Sequence, residues 1–197
     1  MTKVYFVRHA QPEYNHADDR TRPLTSEGVA DAEVVLETLK DKMIDQFYCS
    51  PYVRSISTIQ ETADYYGMEI HTDERLRERQ KGSDGNNHGM FQKRWADHDY
   101  HEEGGESIHM VQERNVEVLK EILHMNPNRN IVIGTHGTAL SSIMNYYNKE
   151  FGCADFLRII DWMPYIVELD FDGQNLISII EHAHVEKEFK GKARADK

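Results

Sequence analysis

The sequence predicts an α/β fold: a mostly parallel sheet covered by helices on both faces and closed at one edge by a C-terminal hairpin. Three observations lead there. Strand-like and helix-like patterns alternate from the N-terminus, and a helix between two strands is the connection that parallel pairing needs. Two apolar runs, KVYFVR and NIVIGTH, read as buried strands of such a sheet. The chain then changes character, and YIVELDF and LISIIEH flank Asp172-Gly173 as the arms of a hairpin.

Each element has its own local signal. KVYFVR is the first strand. In TSEGVADAEVVLETLKDKM the apolar Val29, Ala32, Val35, Leu36, Leu39 and Met43 recur at helical spacing, with Thr25 as the N-cap. DQFYCS is a short second strand. Ser50-Pro51 then opens a helix, serine as cap and proline at the first helical position, and this helix ends at Gly67. MEIHT is a brief third strand. From Glu106 to Met125, the positions Ile108, Val111, Val118, Leu119, Ile122 and Leu123 define an amphipathic helix, which Asn126-Pro127-Asn128 stops. Gly137 begins a further helix that runs through Tyr147.

The polar stretch from Gln80 to Gly105 interrupts this regularity. It carries Gly82, Gly85, Gly89, Gly104 and Gly105 with His88, His98 and His101, and its length predicts a functional loop or lid with one short helix around Phe91–Ala96. No repeat or linker divides the chain. Residues 1–185 are expected to form one domain, and the charged residues 186–197 a partly disordered tail.

Composition narrows the partners. Acidic side chains number 34 against 23 basic ones, a formal net charge of −11, which leaves no excess of cations for nucleic-acid phosphates or an anionic membrane. A small anion is compatible with this charge where cations are concentrated locally. Cys49 and Cys153 form neither a CxxC pair nor a disulfide framework, so buried free thiols and a cytoplasmic home are expected. The N-terminus enters a strand from Lys3 without a signal-peptide pattern, and no apolar run approaches the length of a membrane span.

Such a sheet binds ligands beyond the carboxyl ends of its strands, and three segments bring unusual residues there. The first strand ends in Arg8-His9. Ser50-Pro51 follows the second, with Arg54 in the first turn of the next helix. NIVIGTH ends in His136, followed by Gly137 at a helix start. Taken singly, a strand-terminal Arg-His pair is ordinary solvated trim and His136 an ordinary core histidine. Two arginines, two histidines and helix N-termini at one edge suit a dianion, above all a phosphoryl group, because arginine stays charged and binds oxyanions through a planar fork.

The segments VRHA, RPLTSEG, CSPYVRS, RLRER and GTHG stand in an order that resembles the histidine phosphatase superfamily, also called phosphoglycerate mutase-like proteins. The resemblance runs from about Lys3 to the final hairpin and implies a three-layer α/β/α sandwich. It further implies that His9 is a nucleophile that becomes phosphorylated, that Arg8, Asn15, Arg54 and His136 hold the phosphoryl oxygens, and that Glu78 protonates the leaving oxygen. Gly105-Glu106-Ser107 resembles a family motif as well. On this reading His9 attacks as a neutral imidazole, aimed by a hydrogen bond from its other nitrogen. His136, if protonated, adds a third positive donor, and Glu78 acts first as acid and then as base. No metal or cofactor is expected, since side chains supply the positive charge.

Two departures bear on activity. The loop between Asn15 and RPLT lacks the glycine-tryptophan element typical of the mutases, and QKGSDGNNHGM replaces the stretch in which mutases carry a tyrosine before the glycine. Both favour a phosphomonoester hydrolase of small phosphorylated metabolites over a mutase. The intact set Arg8, His9, Arg54, Glu78 and His136 argues against a non-catalytic phospho-ligand binding module, which would require no nucleophile and acid together. Oligomeric state is not legible. Specificity is expected from the Gln80–Gly105 loop and from Arg20, Arg22, Arg77, Arg79 and Lys81, which suit a second acidic group. His98-Asp99-Tyr100-His101 lacks companion ligands for zinc and reads as a solvated loop. His182 and His184 alternate along the last strand and are expected to share a face.

Overall fold

One sheet organises the residues that the computed structural model describes, 1–83 and 89–188. Its strands are β1 (Thr2–Arg8), β2 (Gln46–Cys49), β3 (Ile70–Thr72), β4 (Asn130–Thr135), β5 (Trp162–Asp172) and β6 (Asn175–Glu186), side by side in the order β3-β2-β4-β1-β5-β6. The first four are mutually parallel, while β5 runs antiparallel to β1 and β6 antiparallel to β5. The expected mostly parallel sheet with an edge hairpin is therefore present. Gly85 and His88 of the expected loop, and most of the expected tail, lie outside the described residues.

Side-chain alternation builds two cores, one on each face. Val4 and Phe6 of β1, with Ile131 and Ile133 of β4, pack against α5 (Ile108–Met125), α6 (Gly137–Tyr147) and α7 (Cys153–Ile159). Tyr5, Val7 and Val132 face the other way, toward Val35 and Leu39 of α2 (Glu33–Leu39) and Ile59 and Ala63 of α3 (Val53–Tyr66). Burying each such side chain stabilises the fold by about 1.5–3 kcal/mol.

The expected helix after Thr25 is present but broken. Thr25 caps α1 (Ser26–Asp31) by accepting the Gly28 N–H at 2.9 Å; Ala32 separates it from α2, and Leu39 ends the run. Of the six apolar positions, Ala32, Val35 and Leu39 are buried, whereas Val29 and Met43 are exposed. Met43 lies beyond the helix, in a left-handed turn at φ 50°. Gly28 is required for space, because a Cβ there would lie 2.3 Å from the Gln11 carbonyl oxygen.

Two other expectations shift. Ser50 is not the cap of α3: Tyr52 is, and the helix starts at Val53. His182 and His184 do not share a face. The β5–β6 register slips between Ile166↔Ala183 and Val167↔Glu181, a bulge at His182. His182 therefore bonds Glu168 at 2.6 Å, while His184 stacks flat on Trp162 at 3.7 Å between ring centres.

The described part of the 80–105 segment is anchored. Its helix α4 (Met90–Ala96) sets Phe91 and Trp95 against Phe156 of α7. Arg94 and Arg79 both pair with Glu102, and all three side chains are at most 3% exposed. His98 packs edge-on against Trp95, and His109 pairs with Asp99 at 2.9 Å. Among the described residues no three His, Cys, Asp or Glu side chains come together as a metal site, and no helix is long and apolar enough to cross a membrane.

Candidate active site

Because β4 lies between β2 and β1, three strand ends that are remote in sequence become neighbours. The backbone locks them together: His9 N–H donates to Thr135 O at 3.1 Å and Ser50 N–H to Gly134 O at 3.0 Å. His136, at the end of β4, therefore stands between Ser50 and the Arg8-His9 pair.

His9 is buried, and its Nδ1 lies 2.7 Å from the carbonyl oxygen of Ala10. A carbonyl only accepts, so Nδ1 carries the proton and Nε2 keeps its lone pair. Ala10 is itself fixed, its N–H donating to Thr58 Oγ1 at 2.9 Å, and Thr58 donates to the carbonyl of Arg54 one turn earlier. Burial above all, then the positive fields of Arg54 and Arg8, hold His9 well below the ordinary histidine pKa. The ring is neutral at pH 7.

The His136 ring meets that of His9 edge-on, 5.2 Å between centres. Its Nε2 lies 2.7 Å from Ser50 Oγ, and its Nδ1 is buried with no partner among the described residues. Ser50 Oγ accepts the Tyr52 N–H at 3.3 Å, and among the described residues its own hydrogen meets no acceptor but Nε2; the tautomer that satisfies this hydroxyl carries the His136 proton on Nδ1. Burial first, then Arg54 and His9, push this ring also well below the usual value. The ring itself is a neutral N–H donor, so the protonation on which a third positive charge depends is not met.

The two arginines are held from behind. Arg8 Nη1 donates to the carbonyls of Ile159 at 2.6 Å and Trp162 at 3.2 Å. Gly137 lets its guanidinium lie against the start of α6, where a Cβ would come within 3.3 Å of Cζ. Arg54 is 3% exposed, donates from Nη1 to Asp19 O at 2.6 Å, and lies over the Tyr52 ring at 4.9 Å. Burial lowers its pKa, yet a guanidinium stays charged at any working pH.

Glu78 reaches the same edge from the irregular stretch after β3. Its Oε2 accepts from Thr138 N–H at 3.1 Å, and its Oε1 from Ala139 N–H at 3.2 Å and Arg79 N–H at 2.7 Å. The carboxylate therefore sits on the N-terminus of α6, within the field felt by Arg54. Arg8, His9, Arg54, Glu78 and His136 thus converge. Asn15 is exposed on a turn, and among the described residues no hydrogen bond ties it to them.

Sequence reasoning misses the part played by Ser50 and Asp19 and gives only part of that of Arg22. Ser50 carries a cap signature, which hid its bond to His136. Asp19 gave no signal, yet it holds Arg54 through its carbonyl and Arg22 through its carboxylate at 2.8 Å. Arg22, grouped from sequence with the side chains that suit a second acidic group, also extends its charge to both His9 and Arg54. Its Nε is buried without a partner among the described residues. Others of that group are engaged elsewhere: Arg20 with Glu74 at 2.5 Å, Arg77 with Glu106 at 2.7 Å, and Arg79 with Glu102.

The chain is similar to several known proteins. Phosphoserine phosphatase 1 of Hydrogenobacter thermophilus is 26% identical over 157 residues, 69% of this chain and 71% of its own. A second protein of that bacterium is 35% identical over 85 residues, an alignment that covers 40% of each chain. The crystal structure of phosphoserine phosphatase from Entamoeba histolytica, bound to 3-phosphoglyceric acid, superposes with a TM-score of 0.77 at 22% identity, over 93% of this chain and 98% of that one. The likeness establishes the fold. The family model for branch 1 of the histidine phosphatase superfamily takes in residues 4–175, from the first strand to the last hairpin, and the chain belongs to that family.

Proposed function

We propose that the protein hydrolyses phosphomonoesters of small acidic metabolites through a phosphohistidine on His9. The observation that carries this is the neutral, buried His9 ring, with Nδ1 anchored on Ala10 O and Nε2 available beside two guanidinium groups. His136 is as buried and as neutral, but its Nε2 is engaged by Ser50 Oγ, which leaves His9 as the nucleophile of the pair.

In the first step Nε2 attacks phosphorus in line with the ester oxygen. The N–P bond forms as the P–O bond breaks, and the departing electron pair takes a proton from the Glu78 carboxyl. Arg8 and Arg54 neutralise the equatorial oxygens, and His136 Nδ1–H donates to one of them. In the second step water attacks phosphorus, its proton passes to the Glu78 carboxylate, and the N–P bond breaks to release inorganic phosphate and restore His9. These donors are fixed before substrate arrives, so little reorganisation opposes either step.

The phosphoserine phosphatase name of a relative and the 3-phosphoglyceric acid bound by a structural neighbour favour a substrate that carries a carboxylate beside its phosphate. Arg22, with a buried Nε to spare, suits that second charge. Two free cysteines fit a cytoplasmic setting.

His9→Ala tests the reading. Phosphate release from phosphoserine and 3-phosphoglycerate should vanish while the circular dichroism of the fold persists. Acid-labile, base-stable labelling from a phosphorylated substrate should vanish with it. Parental turnover in the variant sinks the assignment, and transfer to an acceptor without phosphate release points to a mutase instead.

A further inference from the structure

We infer that Arg114 and Glu106 form a clamp whose task is to fix the position of Glu78 for proton transfer; the inference rests on Glu78 being the acid proposed above. Glu78 needs such a device. It lies in the irregular stretch after a single 3₁₀ turn, Glu74–Leu76, with no ladder or helix to set its backbone. A general acid displaced by about 1 Å loses roughly two orders of magnitude in rate.

Arg114 supplies what secondary structure does not. It stands on α5, whose apolar stripe is buried in the core, and its guanidinium spends all its donors locally. Nε and Nη2 make a fork on the Glu106 carboxylate at 2.9 and 2.8 Å. Nη1 donates to the carbonyls of Arg75 and Arg77, both at 2.7 Å, and Nη2 to the carbonyl of Glu78 at 3.1 Å. Five N–H groups meet five acceptors, the full complement of an arginine.

Glu106 closes the grip from the other side. Besides the fork, it accepts the backbone N–H of Gln80 at 2.8 Å and Nη2 of Arg77 at 2.7 Å. The backbone around Glu78 is thus held at the carbonyls of residues 75, 77 and 78 and at the N–H of residue 80, while its carboxylate is held by α6. Burial pushes the Glu106 carboxyl up, but the bonds from Arg114 and Gln80 outweigh it and keep the group below the usual carboxylate range, hence charged. Every N–H of the Arg114 guanidinium and both oxygens of Glu106 are engaged within the chain, so both act as positioning residues.

The test separates positioning from mere stability through the leaving group. Formation of phosphohistidine in a single turnover is followed with phosphoserine, whose alkoxide needs a proton, and with p-nitrophenyl phosphate, whose phenolate does not. Arg114→Lys loses the planar fork and most of the carbonyl contacts. It should slow the phosphoserine reaction by about 10²-fold while the nitrophenyl ester changes by less than about threefold. Added to Glu78→Gln, it should cost nothing further with phosphoserine, because no acid remains to be positioned. If Arg114→Lys does not fold, Glu106→Gln, which keeps one acceptor for the fork, is read in the same way, with a loss of about tenfold confined to phosphoserine. Equal losses on both esters, or a loss that multiplies that of Glu78→Gln, overturn the clamp. A Glu78→Gln variant that is itself indifferent to the leaving group overturns the acid and the clamp together. Selectivity in Glu78→Gln without selectivity in Arg114→Lys removes the clamp alone.

Discussion

The reactive nitrogen of His9 is defined by a chain of single contacts, each from one atom to the next. Thr58 fixes Ala10, Ala10 fixes Nδ1, and the lone pair is left on Nε2. Ser50 does the same for His136, and its loss should be felt there. Ser50→Ala leaves a fully buried imidazole with neither nitrogen partnered, a penalty of about 1–3 kcal/mol that substrate binding relieves only in part. The expected outcome is a fall in kcat/KM for phosphoserine of roughly 5- to 150-fold, the kinetic equivalent of that range. Steady-state rates decide the matter; parental kcat/KM would reduce Ser50 to a turn residue.

Between elements, the decisive contact is that of strand β1 with the start of helix α6. Arg8 cannot yield, because its guanidinium is pinned to the carbonyls of Ile159 and Trp162. Gly137 is the residue that makes room for it. Gly137→Ala should therefore lower activity and stability together. The added methyl comes within 3.3 Å of a guanidinium that has no room to move aside, so stability should fall by about 1 kcal/mol or more. The same crowding strains the fixed aim of Arg8, and kcat/KM should drop about tenfold or more. Denaturant melts and kinetics on the same preparation check both arms; a stable variant with full activity would show that Arg8 tolerates displacement.

Across the whole molecule, the site makes stability depend on pH. His9 and His136 have folded-state pKa values well below 6.5, and His98 is also lowered, chiefly by burial. The unfolded chain takes up these protons as pH falls through about 6.5, and the folded protein does not, so acid favours unfolding. Their contribution is fully present above that pH and is lost progressively below it, by about 1.4 kcal/mol per pH unit for each group that remains neutral in the fold. Glu168, whose carboxyl is held down to about 2, acts in the same direction only at lower pH. Urea unfolding between pH 7.5 and 5, two values chosen to span this window, should show the decline, and His9→Ala should make it shallower. A flat profile would mean that the buried rings take up protons without penalty.

The order of strands and helices was legible because period and turn chemistry are local. Gly67 ends α3 at φ 63° and Gly173 turns the last hairpin at φ 59°, each a residue type that marks the boundary by itself, whereas the pattern places the start of α5 at Glu106 and the helix begins at Ile108, after the Ser107 cap. Arg8, His9, Arg54 and His136 could be assembled from sequence because each follows a strand end, and a parallel sheet puts strand ends on one edge. Other features depend on partners far along the chain. The seven residues of α7 bury only Phe156 and Ile159, too few for a period, and the bulge at His182 arises from how β5 meets β6. Asp19 behind Arg54, Ser50 behind His136 and Arg114 behind Glu78 became visible only once β4 lay between β1 and β2 and α5 packed beside the 3₁₀ turn. The sequence by itself determined which groups can do chemistry, since that is a property of single side chains. The tertiary structure decided their charge and aim, because burial and the neighbouring fields set the protonation of both histidines.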